Sequence, residues 1–295
     1  MAASEGAAAA AGQWLIERLQ PLHAQGLCPL SMEAGWNQVA ADWRLMLTLG
    51  RGYGVRGADG KWIASALALP LGPAVCWLSM VLVTQPMRGQ GLGTRLLTRC
   101  LAEVEASGAA AGLDATELGR PVYLPLGFRD AYRLSRWHAR SCVREPLAPP
   151  VGIGIRTAGV EDLEHICAYD ARRSGLARAP ILSHLLARAG ELARIAERED
   201  GRLAGFSLAR DGHHALHIGP IVAEDEAVAL ALLSHALAAS DQSVIADVPD
   251  RHALLRRWLT DTGASAPRGF VRMLRGAANL DDGAHTFALA GPELA

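Results

Sequence analysis

The chain has no surplus of charge of either sign: 29 Lys and Arg stand against 30 Asp and Glu, for a formal net charge of -1. Such a balance gives no general field for attracting nucleic acid or an anionic membrane, so charge chemistry has to be local and the partners small. Cysteine is sparse and unpatterned. The five cysteines, at positions 28, 76, 100, 142 and 167, are odd in number and show no C-x-x-C spacing, which argues against a disulfide framework and a zinc site. They read as buried thiols in a reducing compartment. No stretch approaches the roughly 18 consecutive apolar residues of a membrane span. The opening "MAASEGAAAAAG" lacks the basic start and continuous apolar core of a targeting peptide. The nucleotide P-loop pattern G-x-x-x-x-G-K-[ST] is also missing. The expectation these absences leave is a soluble cytoplasmic protein with small-molecule ligands and no metal.

What is present is enough for two domains with buried cores: 295 residues, 50% hydrophobic and 20% charged. An internal repeat points the same way. "DGKWIASALALPLGPAVCWLSMVLV" (59–83) is echoed in "DGRLAGFSLARDGHHALHIGPIVA" (200–223), each reading as turn, strand, turn, strand. A helical segment follows each, then a short strand carrying an aspartate, "GLDAT" or "VIADV", then a short helix ending at Gly127 or Gly263. Matching points lie about 140 residues apart. A tandem duplication of one α/β unit is therefore expected, with "REPLAPPVGIG" (144–154) as the connection. "HHALH" (213–217) is not a metal motif, because on a strand His213 and His217 lie about 13 Å apart, at roughly 3.3 Å per residue.

The informative stretch is "PMRGQGLGTRLL" (86–97), between an apolar strand and a helical pattern. Leu92, Leu96, Leu97, Cys100, Leu101 and Val104 share one helix face, and Gly108 stands where a C-terminal cap belongs. The helix thus starts inside the glycine loop. First-turn N-H groups are unpaired and the helix dipole adds partial positive charge there, which makes an anion site. Glycines let a diphosphate approach those amides, and Arg88, Arg95 and Arg99 add charge with no acid among them. A second glycine pattern, "GYGVRG" (52–57), has the dinucleotide spacing but runs into a turn and a strand, so it reads as a plain loop.

"RGQGLG" (88–93) resembles the acyl-CoA signature [Q/R]xxGx[G/A] of the GNAT superfamily of N-acetyltransferases, with Arg88, Gly91 and Gly93 at its fixed positions. About 30 residues on, "VYLPLGF" matches a second signature of that superfamily through Tyr123, Gly127 and Phe128. Thr116 replaces an asparagine frequent in relatives, and Pro121 and Pro125 shorten the helix that carries Tyr123. The resemblance covers roughly residues 12 to 140. It implies an α/β (α+β) fold: two tandem GNAT-like domains, each a mixed, mostly antiparallel twisted sheet flanked by helices, with a splayed acyl-CoA cleft. The expected parts are a flexible segment (1–11), a catalytic domain (12–140), a linker (141–154), a degenerate GNAT-like domain (155–276) and a C-terminal tail (277–295).

The resemblance further implies acetyl-CoA as cosubstrate, held by Arg88, Gly89, Gln90, Gly91, Leu92, Gly93 and Thr94 and by the backbone of Val81, Leu82 and Val83. Tyr123 is the implied general acid. A base is harder to find, because Trp77 to Val83 carries no ionisable group, and Asp114 and Glu117 are the candidates. Trp36, Asn37 and Gln38 are candidates for substrate contact. In the second half Glu224, Asp225 and Glu226 replace the glycine loop and Leu259 stands where the tyrosine would be, so only the first half is expected to bind acyl-CoA. The expected activity is acetyl transfer to a primary amine of a small molecule, or of a peptide, by direct attack in a ternary complex. The alternative is a non-catalytic acyl-CoA-binding or sensing protein. A first half cut off after about residue 150 is expected to keep some cofactor binding if it folds alone.

Overall fold

A computed structural model of the chain describes residues 14–140, 145–276 and 283–295. The expected N-terminal segment 1–11, Cys142 and the start of the expected C-terminal tail lie outside the described residues. The first half contains β1 (Ile16–Leu19), α1 (Ala24–Glu33), α2 (Ala40–Leu49), β2 (Arg51–Arg56), β3 (Trp62–Pro70), β4 (Val75–Val83), α3 (Leu92–Ser107), β5 (Ala110–Ala115), α4 (Arg120–Tyr123) and β6 (Arg129–Ala139). The second half repeats this order: β7 (Ile153–Thr157), α5 (Leu163–Ser174), α6 (Ala179–Ala189), β8 (Arg194–Arg198), β9 (Leu203–Arg210), β10 (Leu216–Ala223), α7 (Glu226–Ala238), β11 (Val244–Pro249), α8 (Ala253–Asp261) and β12 (Ser265–Arg275). A short strand β13 (Thr286–Ala288) follows. Among the described residues no helix is long and apolar enough to cross a membrane.

Local chemistry explains the elements nearest the site. The six apolar residues of α3 named above are all buried, and Gly108 ends the helix in the left-handed conformation at φ +73°. Burying a leucine contributes about 1.5–3 kcal/mol, so this face anchors α3, and with it the glycine loop, on the strands of the first half. β3, β9 and β10 are buried on both faces and read as near-continuous apolar runs.

All thirteen strands of the described residues join one sheet, in the order β1-β2-β3-β4-β5-β12-β6-β11-β10-β9-β8-β7, with β13 added beside β10. This order reads the same from either end once each strand of one half is exchanged for its counterpart, so the halves are related by an approximate two-fold axis at the β12–β6 pair. The last strand of each half crosses over. β12 pairs antiparallel with β5, from Val271↔Ala115 to Arg275↔Ala111, and β6 pairs antiparallel with β11, from Val244↔Ala139 to Pro249↔Leu134. Neither half closes its sheet with its own strands alone.

Two parts of the expected layout change. Residues 283–295 of the expected C-terminal tail pack into the fold: Phe287, Leu289 and Leu294 are each buried, and β13 is a sheet strand. The expected linker runs into β7, because Ile153 and Gly154 already pair with Arg198 and Glu197.

Candidate active site

β4 and β5 run parallel only from Val75↔Ala110 to Trp77↔Gly112. Gly112 is required there, because a Cβ would stand 2.2 Å from the Trp77 ring. Beyond this point β4 bulges: its register against β3 shifts between Ser65 and Leu67, Met80 takes φ +51°, and Ser65 Oγ donates to the Met80 carbonyl at 2.7 Å. A side-chain-bearing residue at positive φ is uncommon, and such strain is held only where the surroundings impose it. Val81 to Val83 therefore diverge from Leu113 to Ala115, whose pairing in the sheet is with β12. A wedge opens between the two strands.

The glycine loop sits at the wide end of the wedge. Gly89 and Gly91 both have φ +76°, and no atom lies within 4 Å of where a Cβ would stand at either. The space beside them is open. Gly93 lies close against β4, its Cβ position 3.4 Å from Val83 Cγ2. The N-H groups of Leu92, Gly93 and Thr94 form the first turn of α3 and lack intrahelical partners. The arginines are used unequally. Arg88 donates from Nε to the Val83 carbonyl at 3.0 Å, with Glu33 3.9 Å from its guanidinium. Arg99 is drawn away to Glu103 at 3.4 Å and over the Tyr53 ring, whereas Arg95 is exposed and has no ion pair among the described residues.

At its narrow end the wedge leads into a cavity of about 110 Å³. The first half contributes Met80, Val81, Leu113 and Asp114, with Trp36 and Gln38 from the segment before α2. Tyr123 enters from α4, a single turn with Pro121 at its start; Thr116 Oγ1 accepts at 3.1 Å from the N-H of Gly119, which precedes that turn. A Cβ on Gly119 would lie 3.1 Å from the Tyr123 ring, and Phe128 packs edge-on to the same ring at 6.0 Å. Burial pushes the Tyr123 hydroxyl up to about 12, so it holds its proton at neutral pH.

The other expected residues part company. Both oxygens of Asp114 accept from Arg272 of β12, at 2.9 and 2.8 Å, and its side chain is fully buried. Burial raises its carboxyl and Arg272 opposes that; with both oxygens engaged, it is a structural anchor and not a free base. Glu117 is exposed and does not line the cavity. Asn37 is turned to the second half: it donates from Nδ2 to the Ala215 carbonyl at 2.9 Å and accepts at Oδ1 from the N-H groups of His214 and Ala215. It clamps the β9–β10 turn and does not line the cavity, whereas Trp36 and Gln38 do.

The far wall comes from residues that sequence reasoning missed: Arg136 of β6, Arg268 and Phe270 of β12, and Pro292 and Glu293 from the segment after β13. The Trp77 indole donates to the Pro292 carbonyl at 2.8 Å, which holds that segment over the wedge. Glu293 Oε1 accepts from Arg210, which also pairs with the buried Asp42 at 2.7 Å. A continuous buried polar network follows, through His217 to Asp247 and Arg136. Nothing in "GPELA" distinguishes Glu293 from any other carboxylate near the end of the sequence.

The second half closes what the first leaves open. β10 and β11 pair only at Leu216↔Val244 and His217↔Ile245 before they diverge. Into that gap runs β13, pairing with β10 at Ile221↔Ala288 and Val222↔Thr286, while Leu289 N donates to the Asp247 carbonyl of β11 at 2.9 Å. The three acids at the start of α7 have structural partners: Asp225 caps Val228 N, Glu226 accepts from Leu255 N, and Glu224 pairs with Arg198. Leu259 is buried.

Two family models match, one described as Acetyltransferase (GNAT) family over residues 27–128 and one as Acetyltransferase (GNAT) domain over residues 166–288. The chain is 26% identical over 247 residues to the uncharacterized N-acetyltransferase YitH of Bacillus subtilis, spanning 83% of this chain and 86% of that protein. In fold it is similar to a candidate acetyltransferase of Pyrococcus horikoshii, with TM-score 0.74 at 18% identity over 95% of both chains. It is also similar to a tandem GNAT protein from the clavulanic acid biosynthesis pathway, with TM-score 0.59 at 14% identity over 90% of this chain and 100% of that one. With a GNAT model on each half, and the splayed strand and glycine loop in the first, the chain belongs to the GNAT superfamily of acyltransferases as two GNAT domains in tandem.

Proposed function

We propose that the protein is an acetyl-CoA-dependent N-acetyltransferase acting on a primary amine of a small molecule, by direct attack in a ternary complex. The observation that carries this reading is one continuous path: the glycine loop, the splayed edge of Val81 to Val83, and the cavity containing Tyr123. The loop fits a diphosphate, since the space beside Gly89 and Gly91 is open and the α3 start offers unpaired N-H groups. Acetyl-CoA supplies the activated acetyl group.

The residues then have separable tasks. Leu92 to Thr94 N-H groups, with Arg88 and Arg95, hold the diphosphate. The free edge of Val81 to Val83 pairs with the pantetheine arm, and a backbone N-H aimed at the thioester oxygen contributes about 3 kcal/mol of transition-state stabilisation. Tyr123 donates its proton to the departing sulfur. Residues 12–140 form the catalytic half on this reading, and residues 155–276 frame the acceptor. A cavity walled by Arg268, Phe270 and Pro292 favours a small acceptor over a peptide.

Thiol release from acetyl-CoA, followed over a panel of small amines, tests the reading. Turnover with at least one primary amine is the expected result. Tight acetyl-CoA binding without release for any amine would make the protein a non-catalytic acyl-CoA-binding module.

A further inference from the structure

Two residues of the cavity wall, Glu293 and Gln38, each carry a buried acceptor atom, Oε2 and Oε1, that has no hydrogen-bond partner among the described residues. Their residues are 2% and 4% exposed. An unmet buried acceptor is costly, and more so when charged; a ligand that donates to both relieves that cost. Arg268 on the same wall stacks on Phe270 and has no ion pair or hydrogen bond among the described residues. The residues of the cavity wall thus include a carboxylate oxygen and an amide oxygen without hydrogen-bond partners, and a guanidinium without an ion pair, among the described residues.

On the acetyltransferase reading above, we propose that Glu293 is the general base and that Arg268 binds an acidic group of the acceptor, so the substrate is a small amine that carries a carboxylate, of amino-acid type. The ammonium of the acceptor donates to Glu293 and Gln38 and gives one proton to Glu293 Oε2. The neutral nitrogen forms its bond to the thioester carbonyl carbon as the carbon–sulfur bond breaks. The sulfur takes the Tyr123 proton, and the tyrosine oxygen recovers a proton from the nitrogen. Products are the amide, free CoA thiol and one proton on Glu293, which passes to solvent. Acyl transfer by the first half thereby depends on a base delivered by the segment that also fills the cleft of the second.

The charged groups around Glu293 are Arg210 of β9, bonded to Oε1, with Asp42 of α2 and His217 of β10 beyond it, and Arg136 of β6 and Arg268 of β12 on the cavity wall. Arg136 is itself held by Asp247 of β11, at 2.7 Å.

The test uses the full-length protein, α-amino acids and matching amines that lack the carboxylate. For Glu293→Gln, which keeps an acceptor for Arg210, kcat/KM at pH 7 is expected to fall by about a hundredfold to ten-thousandfold. The deficit should shrink as pH rises toward the amine's own pKa, with CoA affinity by calorimetry unchanged. A loss equal at pH 7 and pH 9.5, or activity within threefold of wild type at pH 7, overturns the base assignment. Arg268→Gln is expected to weaken amino-acid binding to the CoA-loaded protein by tenfold or more and to leave the decarboxylated amines unaffected. Wild-type preference for the decarboxylated amines overturns the Arg268 assignment alone. Acetyl-CoA binding without thiol release from any acceptor removes the acetyltransferase reading, and this proposal with it.

Discussion

Arg272 on β12 grips Asp114 on β5 through two hydrogen bonds, of 2.9 and 2.8 Å, although the two residues belong to opposite halves of the chain. The approximate two-fold repeats the contact: Arg136 on β6 grips Asp247 on β11 at 2.8 and 2.7 Å. Both aspartates have fully buried side chains. Burial works to raise Asp247, but Arg136, His217 and Arg210 together hold it below the ordinary carboxylate range. These reciprocal pairs lock each crossing strand to its host.

Breaking one pair leaves a buried charge unmatched, which costs about 3–5 kcal/mol. Arg272→Met is expected to destabilise the chain by that order in urea unfolding, and Arg272→Met with Asp114→Leu to recover most of the loss. A double variant no more stable than the single would mean that the pair itself, and not the unmatched charge, supplies the stability.

A chain ending near residue 150 should fail to fold, so the condition on which cofactor binding is expected of it is not met. Such a fragment lacks β12, which covers the inner edge of β5, and it leaves β6 without either neighbour. The expected outcome is no cooperative thermal transition and no acetyl-CoA binding; a well-dispersed amide spectrum for the fragment would show that β6 can close the first sheet by itself.

One chain should bind one acyl-CoA. The second wedge is filled by β13, and the acids at the start of α7 cap the helix. Calorimetric titration should give a stoichiometry of one, and Gly91→Glu should abolish it by placing bulk and negative charge in the loop. That substitution also forces a side chain into φ +76°, a strain of about 1–3 kcal/mol, so a lowered melting temperature is expected beside the lost binding.

Tyr123→Phe keeps the ring packed on Phe128 and removes the proton donor. Its kcat should fall by about tenfold to a thousandfold with acetyl-CoA affinity nearly intact. Unchanged kcat, with chemistry limiting, would assign Tyr123 to packing.

His217 should make stability depend on acid pH. Burial, with Arg210 beside it, lowers its folded pKa from 6.5 to about 3. Between those values the unfolded chain binds a proton that the folded chain refuses. Stability from this group is therefore full above about pH 6.5 and is lost as pH falls toward 3, at up to about 1.4 kcal/mol per pH unit. His217→Gln should flatten that slope in urea titrations at pH 4 to 7; an unaltered slope would place the titration elsewhere.

Local pattern alone determined much of this molecule. The buried face of α3, the Gly108 cap, the bare loop from Gly89 to Gly93 and the acid-capped start of α7 all follow from residue spacing and backbone preference, which act over a few residues. Tertiary structure alone decided which strands sit at the centre. β6 and β12 read alike as sequence, and their exchange depends on Arg136 and Arg272 each finding an aspartate more than a hundred residues away. The same distance hid the fate of Asp114, a base candidate until Arg272 engages both its oxygens. It hid Glu293 as well: an unpatterned apolar segment does not announce which cleft it enters, because burial rewards any cleft of matching shape and only the folded sheet provides one.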